Sequence, residues 1–197
     1  MSAIHIPDIT FLSGRRVYIR PFLEKDLPYL LRWFNDHDGL LQFLGSPLPN
    51  TEAREREWIA NQVKDKQAPE GVVFMIVLKK GNIPIGTMGL HGINWIDRKA
   101  LTGASIGEDV YRGKGYGSEA KELLLRYAFE SLGLNCISST VIASNARSIR
   151  YNEKCGYVHE GIMREAKFVK GMFVDVVRMS ILRKDWDARQ KTKTKKK

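Results

Sequence analysis

The sequence contains little cysteine and little histidine. Its 197 residues include 2 cysteines and 4 histidines. Because Cys136 and Cys155 each fall inside a predicted regular element, we exclude a disulfide framework and expect a cytoplasmic protein. The histidines are scattered, and no group of His and Cys residues has the spacing of metal ligands, so we expect no metal.

Long hydrophobic runs are also missing. No segment approaches the ~20 apolar residues that cross a bilayer, and the N-terminus has no signal-peptide core. These absences argue against membrane insertion and against export. With 43% hydrophobic and 27% charged residues, the composition is that of a soluble globular protein, and the length suits one domain with its own core. We therefore predict a single domain over residues 1–187.

Acidic residues are fewer than basic ones, which gives a formal net charge of +10. Much of the excess lies at the C-terminal end, which closes on Lys-Thr-Lys-Thr-Lys-Lys-Lys. A segment of this composition buries too little apolar surface to pack, so we predict a disordered basic tail over residues 188–197. Such a tail is either solubilising or makes a weak contact with a polyanion such as ribosomal RNA.

The most informative pattern is a glycine-rich turn between a predicted strand and a predicted helix. Residues 107–117 read Gly-Glu-Asp-Val-Tyr-Arg-Gly-Lys-Gly-Tyr-Gly, with glycines at Gly113, Gly115 and Gly117. A glycine turn that opens a helix leaves backbone N–H groups unpaired at the positive end of the helix dipole. This arrangement predicts a phosphate-binding site.

The spacing of the turn decides between kinds of phosphate ligand. It matches neither the dinucleotide pattern G-x-G-x-x-G nor the P-loop pattern G-x-x-x-x-G-K-[ST]. The arrangement Arg-x-x-Gly-x-Gly, formed by Arg112, Gly115 and Gly117, resembles the acetyl-CoA pyrophosphate loop of the GCN5-related N-acetyltransferases (the GNAT superfamily). Lys114 adds a second cation to this loop.

A second segment resembles the same superfamily. Asn145 is a favourable N-cap and Gly156 a favourable C-terminal stop for a short helix, and in the family an Asn at this place contacts the pantetheine arm. The resemblance covers residues 14–187 and is closest to the ribosomal-protein N-terminal acetyltransferases (RimJ/RimL-like). The segments Arg16–Pro21 and Glu24–Leu27 are typical of this branch.

The resemblance implies a GNAT fold of the α/β (α+β) class, with a central mixed, mostly antiparallel sheet of about seven strands flanked by helices. Hydrophobic periodicity agrees with this layout. The predicted helices are Glu24–Asn35, Thr51–Asp65, one after the glycine turn, and one between Asn145 and Gly156. The predicted strands are Val17–Arg20, Val72–Leu78, Ile83–Leu90, Ala100–Glu108, Cys136–Ala143, Tyr157–Lys170 and Met172–Leu182.

The resemblance also implies that acetyl-CoA is the co-substrate and that the acceptor amine attacks it directly. The strand before the glycine turn supplies backbone N–H groups, and we place the oxyanion donor near Ile106 or Gly107. The predicted cofactor-binding residues are Ile106, Gly107, Val110, Arg112, Gly113, Lys114, Gly115, Tyr116, Gly117, Ser118, Asn145, Ser148 and Asn152.

Two carboxylates are candidates for the general base. Glu108 is the first, because it ends the strand beside the expected thioester, although it could instead pair with Arg112 or Lys114. Asp175 on the closing strand is the second, although it could pair with Arg178.

The expected proton donor to the leaving thiolate is replaced. Many GNAT enzymes have a Tyr four residues before the glycine that ends the short helix, and this chain has Asn152 there. An amide has no useful acidity but can hydrogen-bond the CoA sulfur or the pantetheine arm. Ser148 or a water protonates the thiolate, or it leaves unprotonated. Tyr151 is interpreted as a packing residue.

The sequence does not decide which amine accepts the acetyl group. Neutralising an amine of pKa ~10.4 at pH 7 costs about 4.6 kcal/mol, whereas a protein α-amine of pKa ~8 costs about 1.4 kcal/mol. Our first hypothesis is an N-terminal α-amine of a ribosomal protein, and the alternatives are a polyamine or other small amine, or a non-catalytic acyl-CoA-binding protein. Acceptor specificity is predicted for residues 36–50 and 167–173, with Phe34, Phe43, Leu44 and Phe168 as lining candidates. We expect a monomer or a homodimer.

Overall fold

A computed structural model describes residues 9–36, 48–62 and 69–194. Eight strands form one sheet in the order β1-β2-β3-β4-β5-β6-β8-β7. They are β1 Leu12–Ser13, β2 Val17–Arg20, β3 Gly71–Leu78, β4 Ile83–Asn94, β5 Lys99–Ile106, β6 Cys136–Ile142, β7 Val158–Val169 and β8 Met172–Leu182. Among the described strands, only β5 and β6 are parallel neighbours. The predicted mixed, mostly antiparallel sheet is confirmed, with the two-residue β1 as an addition.

Five α-helices flank this sheet in the described part of the chain. They are α1 Leu27–Phe34, α2 Glu52–Gln62, α3 Tyr116–Arg126, α4 Ala146–Lys154 and α5 Arg183–Thr194. The predicted helix over Thr51–Asp65 is described from Glu52 to Gln62, and residues 63–68 lie outside the described part. None of the described helices has the length and apolar character needed to cross a membrane.

The sheet separates two hydrophobic cores, and β3 shows why. Side chains alternate between the two faces of a strand, so Phe74 and Ile76 enter one core while Met75 and Val77 enter the other. The larger core packs against α3, and the smaller one packs against α1 and α2. The glycine turn therefore lies on one face of the sheet, and α1 lies on the other.

Helix α1 is tied to the sheet by a buried ion pair. Arg20 on β2 donates to both carboxylate oxygens of Asp26 at 2.6 and 2.8 Å, and both side chains are buried. Asp26 also accepts from the Leu23 N–H at 2.8 Å. The bidentate geometry satisfies both charges, so the pair fixes where α1 begins relative to the sheet.

Helix α5 continues past the domain boundary predicted at residue 187. Trp186 is buried, Arg189 donates to the Lys154 carbonyl at 3.0 Å, and Gln190 donates to Glu122 at 2.5 Å. These three residues share one helix face, which packs on the domain, so the chain remains helical to Thr194 instead of becoming disordered from residue 188. Residues 195–197 lie outside the described part.

Candidate active site

A wedge opens in the middle of the sheet between β5 and β6. The two strands pair only from Lys99–Leu101 to Cys136–Ser138. Farther on, β5 stays paired with β4 as far as Ile106, and β6 stays paired with β8 as far as Ile142. Residues 102–106 and 139–142 therefore face each other without a shared ladder and line a cavity of about 470 Å³. Their inner backbone groups are available to a ligand.

Most of the predicted cofactor-binding residues meet at this cavity. Its lining includes Ile106, Arg112, Gly113, Gly115, Tyr116, Gly117, Ser118, Asn145, Ser148 and Asn152. The structure does not place Gly107, Val110 or Lys114 in the cavity wall. Val110 is exposed, and Gly107 instead contacts α1.

The glycine turn has the conformation that its sequence predicts. Gly113 and Gly115 have φ angles of 73° and 82°, in the left-handed region that glycine adopts without a steric penalty. Gly115 is the N-cap of α3 and provides no capping side chain. The first N–H groups of α3 are thus left for another partner at the positive end of the helix, which suits a phosphate.

Arg16 holds the turn from outside, and no sequence pattern identifies it as a site residue. Its guanidinium donates to Glu119 at 2.9 Å and to the Lys114 carbonyl at 3.0 Å, and it lies 4.8 Å from the centre of the Tyr116 ring. Burial raises the pKa of Glu119, but hydrogen bonds from Arg16 and Val17 outweigh this effect and lower it overall. No local pattern could reveal the contact, because its partners are about one hundred residues apart.

Arg112 supports the end of β5 in addition to lining the cavity. Its guanidinium donates to the Ile106 carbonyl at 2.9 Å and to the Gly107 carbonyl at 3.0 Å, and it pairs with Asp109. The guanidinium therefore fixes the loop that follows the strand. Its charge also lies in the wall of the cavity, where the sequence predicts a phosphate contact.

Helix α4 contributes two asparagines to the cavity. The Asn145 side chain caps the helix by accepting from the Ser148 N–H at 3.1 Å. Asn152 is buried and donates from Nδ2 to the Ser148 carbonyl at 3.1 Å, but its Oδ1 has no hydrogen-bond partner among the described residues. Tyr151 donates to the Gly117 carbonyl at 3.3 Å, so it connects α4 to the glycine turn and does more than fill space.

Lys121 is a cavity residue that no sequence pattern identifies. It is only 1% exposed, and Nζ donates to Thr102 Oγ1 at 3.0 Å. The ammonium lies 5.2 Å from the centre of the Tyr151 ring and 5.0 Å from that of Tyr157. Burial lowers the pKa of Lys121 to about 8. In the sequence, Lys121 directly follows Ala120, which belongs to the apolar stripe of α3. A lysine beside such a stripe is expected to face solvent.

The first candidate base, Glu108, faces α1. Its Oε1 accepts from Trp33 Nε1 at 3.0 Å and from Arg32. The predicted alternative partners, Arg112 and Lys114, are therefore not the ones that the structure shows. Trp33 lies so close to the neighbouring Gly107 that an added Cβ would be 2.1 Å from the indole ring.

The second candidate base, Asp175, binds its own hairpin. Its Oδ1 accepts from the Glu165 N–H at 2.9 Å, at a residue with a φ angle of 51° where the β7–β8 register shifts. Arg178, its predicted alternative partner, pairs with Glu160 instead. Neither Asp175 nor Glu108 lines the cavity.

The predicted acceptor side is only partly described. Phe34 packs against the smaller core, and Phe168 is exposed and lies against Phe173 with ring centroids 5.1 Å apart. Phe43 and Leu44 lie outside the described residues. The described residues also contain no group of three or more His, Cys, Asp or Glu side chains that could hold a metal ion.

Comparison with known proteins identifies the family. Residues 16–158 match the family model for an acetyltransferase (GNAT) domain. The chain belongs to the GNAT acetyltransferases. This GNAT protein is therefore an acyltransferase that uses acetyl-CoA to acetylate an amine.

The relatives do not share one acceptor. The GNAT chain is 34% identical over 177 residues to the uncharacterized N-acetyltransferase p20 of Bacillus licheniformis, covering 89% of this chain and 97% of that one. It is 34% identical over 102 residues to YdaF of Bacillus subtilis, described as a candidate ribosomal N-acetyltransferase, covering 52% and 55% of the two chains. The crystal structure of spermidine N-acetyltransferase from Vibrio cholerae in complex with CoA and spermine has a TM-score of 0.80 and 24% identity, covering 88% of this chain and 99% of that one. This last likeness shows the fold alone.

Proposed function

We propose that this GNAT enzyme acetylates the N-terminal α-amine of a protein, as in the ribosomal-protein (RimJ/RimL-like) branch. One observation carries the choice of acceptor. Two carboxylates follow the end of β5, and each is paired with an arginine of the chain itself, Glu108 with Arg32 and Asp109 with Arg112. A polyamine carries several positive charges and needs carboxylates that are not already neutralised.

The energetics of the acceptor favour the same choice. An α-amine of pKa ~8 loses its proton at pH 7 for about 1.4 kcal/mol, against about 4.6 kcal/mol for an amine of pKa ~10.4. An α-amine can therefore react with modest help from a base. Glu108 is the proposed base and Asp175 the second candidate, with a water as the alternative to both.

The tip of the last hairpin also suits a polypeptide. Phe168, Met172 and Phe173 are all at least 60% exposed. Exposed apolar side chains grouped on one turn are typical of surfaces that bind other proteins, whereas a small soluble amine has only a few methylene groups to cover them. The basic C-terminal segment would add attraction to a ribosomal polyanion, and the cytoplasm would be the compartment.

The cavity fits acetyl-CoA, which supplies an activated acetyl group when bound. The open N–H groups at the start of α3 would hold the pyrophosphate, and the unpaired edges of β5 and β6 would hold the pantetheine arm. The buried Asn152 Oδ1 without a partner indicates a ligand that brings a hydrogen-bond donor. Ser148 or a water would protonate the departing sulfur.

A polyamine remains the second candidate because of the structural relative. The Vibrio cholerae enzyme with 24% identity was solved with CoA and spermine. If a polyamine were the acceptor of this chain, we would expect its charges to displace Arg32 from Glu108. Residues 37–47, on the predicted acceptor side, lie outside the described part and contribute nothing to this choice.

The test is thiol release from acetyl-CoA with three acceptors: a ribosomal-type peptide with N-terminal Ala or Ser, the same peptide with a blocked N-terminus, and spermidine. The proposal predicts turnover on the free peptide, none on the blocked one and slower turnover on spermidine. A preference for spermidine would mean that the enzyme acetylates polyamines. No turnover with any of them, alongside acetyl-CoA binding, would favour the non-catalytic acyl-CoA-binding alternative.

A further inference from the structure

The carboxylate of Glu108 is held by α1, although Glu108 itself follows β5. Its Oε1 accepts from two donors on α1, the indole Nε1 of Trp33 at 3.0 Å and the guanidinium of Arg32. Its Oε2 accepts no hydrogen bond from the residues that the structure describes. One oxygen of the carboxylate is therefore held by the protein, and the other is left to solvent or to a ligand.

The two donors on α1 differ in how firmly they are fixed. The Arg32 side chain is 62% exposed, so water and salt weaken its ion pair with Glu108 and the guanidinium can move away. Trp33 is 2% exposed and packs against Tyr29, with ring centroids 5.5 Å apart. A buried indole cannot change its rotamer without disturbing the close-packed core. Trp33 is therefore the donor that fixes the position of the carboxylate.

The backbone beside Glu108 is shaped to receive the indole ring of Trp33. Gly107 has no side chain, and a Cβ at this position would lie 2.1 Å from the ring. The Gly107 N–H donates to the Ile85 carbonyl at 2.9 Å, and the Gly107 carbonyl accepts from Arg112 at 3.0 Å. Both peptide groups of Gly107 are thus fixed, and Trp33 fixes the side chain that follows them.

The position of Trp33 depends in turn on the buried ion pair at the start of α1. Arg20 on β2 donates to Asp26 at 2.6 and 2.8 Å, which fixes the beginning of the helix on the sheet. Trp33 lies about two turns farther along the chain and buries its ring in the smaller core. A continuous set of buried contacts thus connects the sheet to the Glu108 carboxylate.

We propose that Trp33 is a positioning residue, which holds Oε1 of Glu108 so that Oε2 takes the proton of the acceptor α-amine. The proposal rests on the proposed function, in which Glu108 is the base. One proton passes from the acceptor ammonium to Oε2, and the nitrogen lone pair then forms the C–N bond to the acetyl carbon. The C–S bond breaks, the second proton of the nitrogen goes to the departing sulfur through Ser148 or a water, and Glu108 returns its proton to solvent.

The experiment is a double-mutant cycle on kcat with the wild type, Trp33→Phe, Glu108→Gln and the double variant. Phenylalanine keeps an aromatic ring in the core and removes the N–H donor. With the N-terminal Ala or Ser peptide, we expect Trp33→Phe to lower kcat about 10- to 100-fold, the scale on which a displacement of about 1 Å reduces activity. In the Glu108→Gln background the same change should lower kcat less than about threefold, because the group through which Trp33 acts is absent. Calorimetry should show unchanged acetyl-CoA affinity in all four proteins.

A matched control separates positioning from packing. Trp58 lies in the same core, where its ring meets that of Phe22 with centroids 5.0 Å apart, and Glu108 accepts no hydrogen bond from it. Trp58→Phe should lower the melting temperature, as Trp33→Phe does, and leave kcat unchanged. A merely structural Trp33 would lower kcat by the same factor with Glu108 and with Gln at position 108. That result would overturn the proposal, and so would a wild-type kcat in Trp33→Phe.

Should Trp33→Phe fail to fold, benzothienylalanine at position 33 takes its place in the cycle, since it has the shape of tryptophan with sulfur instead of the N–H. Full activity of Glu108→Gln would overturn the proposal together with the assignment of the base. A wild type that acetylates spermidine and not the peptide would refute the proposed acceptor instead. The same cycle measured with spermidine would then decide the role of Trp33 separately.

Discussion

Charged side chains are held in different ways on the two sides of the wedge. On the cofactor side, Arg16 and Arg112 each donate to backbone carbonyls as well as to a carboxylate. On the acceptor side, Arg32 and Glu108 form a surface pair whose side chains are 62% and 33% exposed. A surface pair contributes at most about 1 kcal/mol and rearranges easily. The cofactor side is therefore preorganised, and the acceptor side can adjust to its substrate.

The largest expected effect lies on the acceptor side. Glu108→Gln should lower kcat by about 100- to 10,000-fold if Glu108 takes the proton of the amine, because an amide cannot act as a base. The variant keeps an oxygen that can accept from Trp33, so acetyl-CoA affinity should remain unchanged. Steady-state kinetics with the peptide acceptor, together with acetyl-CoA calorimetry, measure both quantities.

Asp109→Asn is the matched control for Glu108. It changes the next carboxylate, whose side chain is 87% exposed and paired with Arg112. We expect kcat of this variant to stay within about threefold of the wild type, the scale of a lost surface pair. Full activity of Glu108→Gln would mean that Glu108 is not the base and that a water or Asp175 takes the proton.

The second prediction concerns the contact between Gly107, which follows β5, and Trp33 of α1. In Gly107→Ala the new Cβ would lie 2.1 Å from the ring of Trp33, which is 2% exposed and cannot move into solvent. We expect the free energy of unfolding to fall by about 3 kcal/mol, as for an overpacked core. Gly113→Ala is the control: at a φ angle of 73° with no atom within 4 Å, it meets only backbone strain of about 1–2 kcal/mol. If urea unfolding shows equal losses of unfolding free energy in the two variants, the contact between Gly107 and Trp33 is contradicted.

The difference between local patterns and contacts made across long stretches of chain explains how much could be predicted from the sequence. Glycine spacing, a helix cap and strand periodicity are local patterns, so the turn at Gly113–Gly117, the cap at Asn145 and the order of the elements were predicted. Arg16 and Arg32 were missed as partners because each contacts a residue more than seventy positions away. Lys121 was missed because burial of a cation depends on Tyr151 and Tyr157 arriving from another element.

The third prediction tests the cofactor side through Arg112. Arg112→Ala should weaken acetyl-CoA binding by about 1.5–3 kcal/mol, the scale of a charge-assisted hydrogen bond to phosphate. Since the same guanidinium donates to the carbonyls of Ile106 and Gly107, the free energy of unfolding should fall as well, by about 1 kcal/mol. Calorimetry and urea unfolding measure the two losses. Reduced stability with unchanged affinity would restrict Arg112 to supporting the loop.

The smallest expected effect is a pH dependence at Glu119, which connects the glycine turn to Arg16. Burial opposes its ionisation, but the hydrogen bonds from Arg16 and Val17 outweigh burial and lower its pKa, so the ionised form stabilises the fold. This stabilisation is present above the ordinary value of 4.5 and is lost as the pH falls through the lowered pKa. Glu119→Gln should therefore reduce the free energy of unfolding by about 1–2 kcal/mol at pH 7 and progressively less below pH 4.5. Glu130→Gln, at an exposed position shortly after α3, should show no such trend. A Glu119→Gln loss that is constant with pH would mean that shape, and not charge, holds the turn against Arg16.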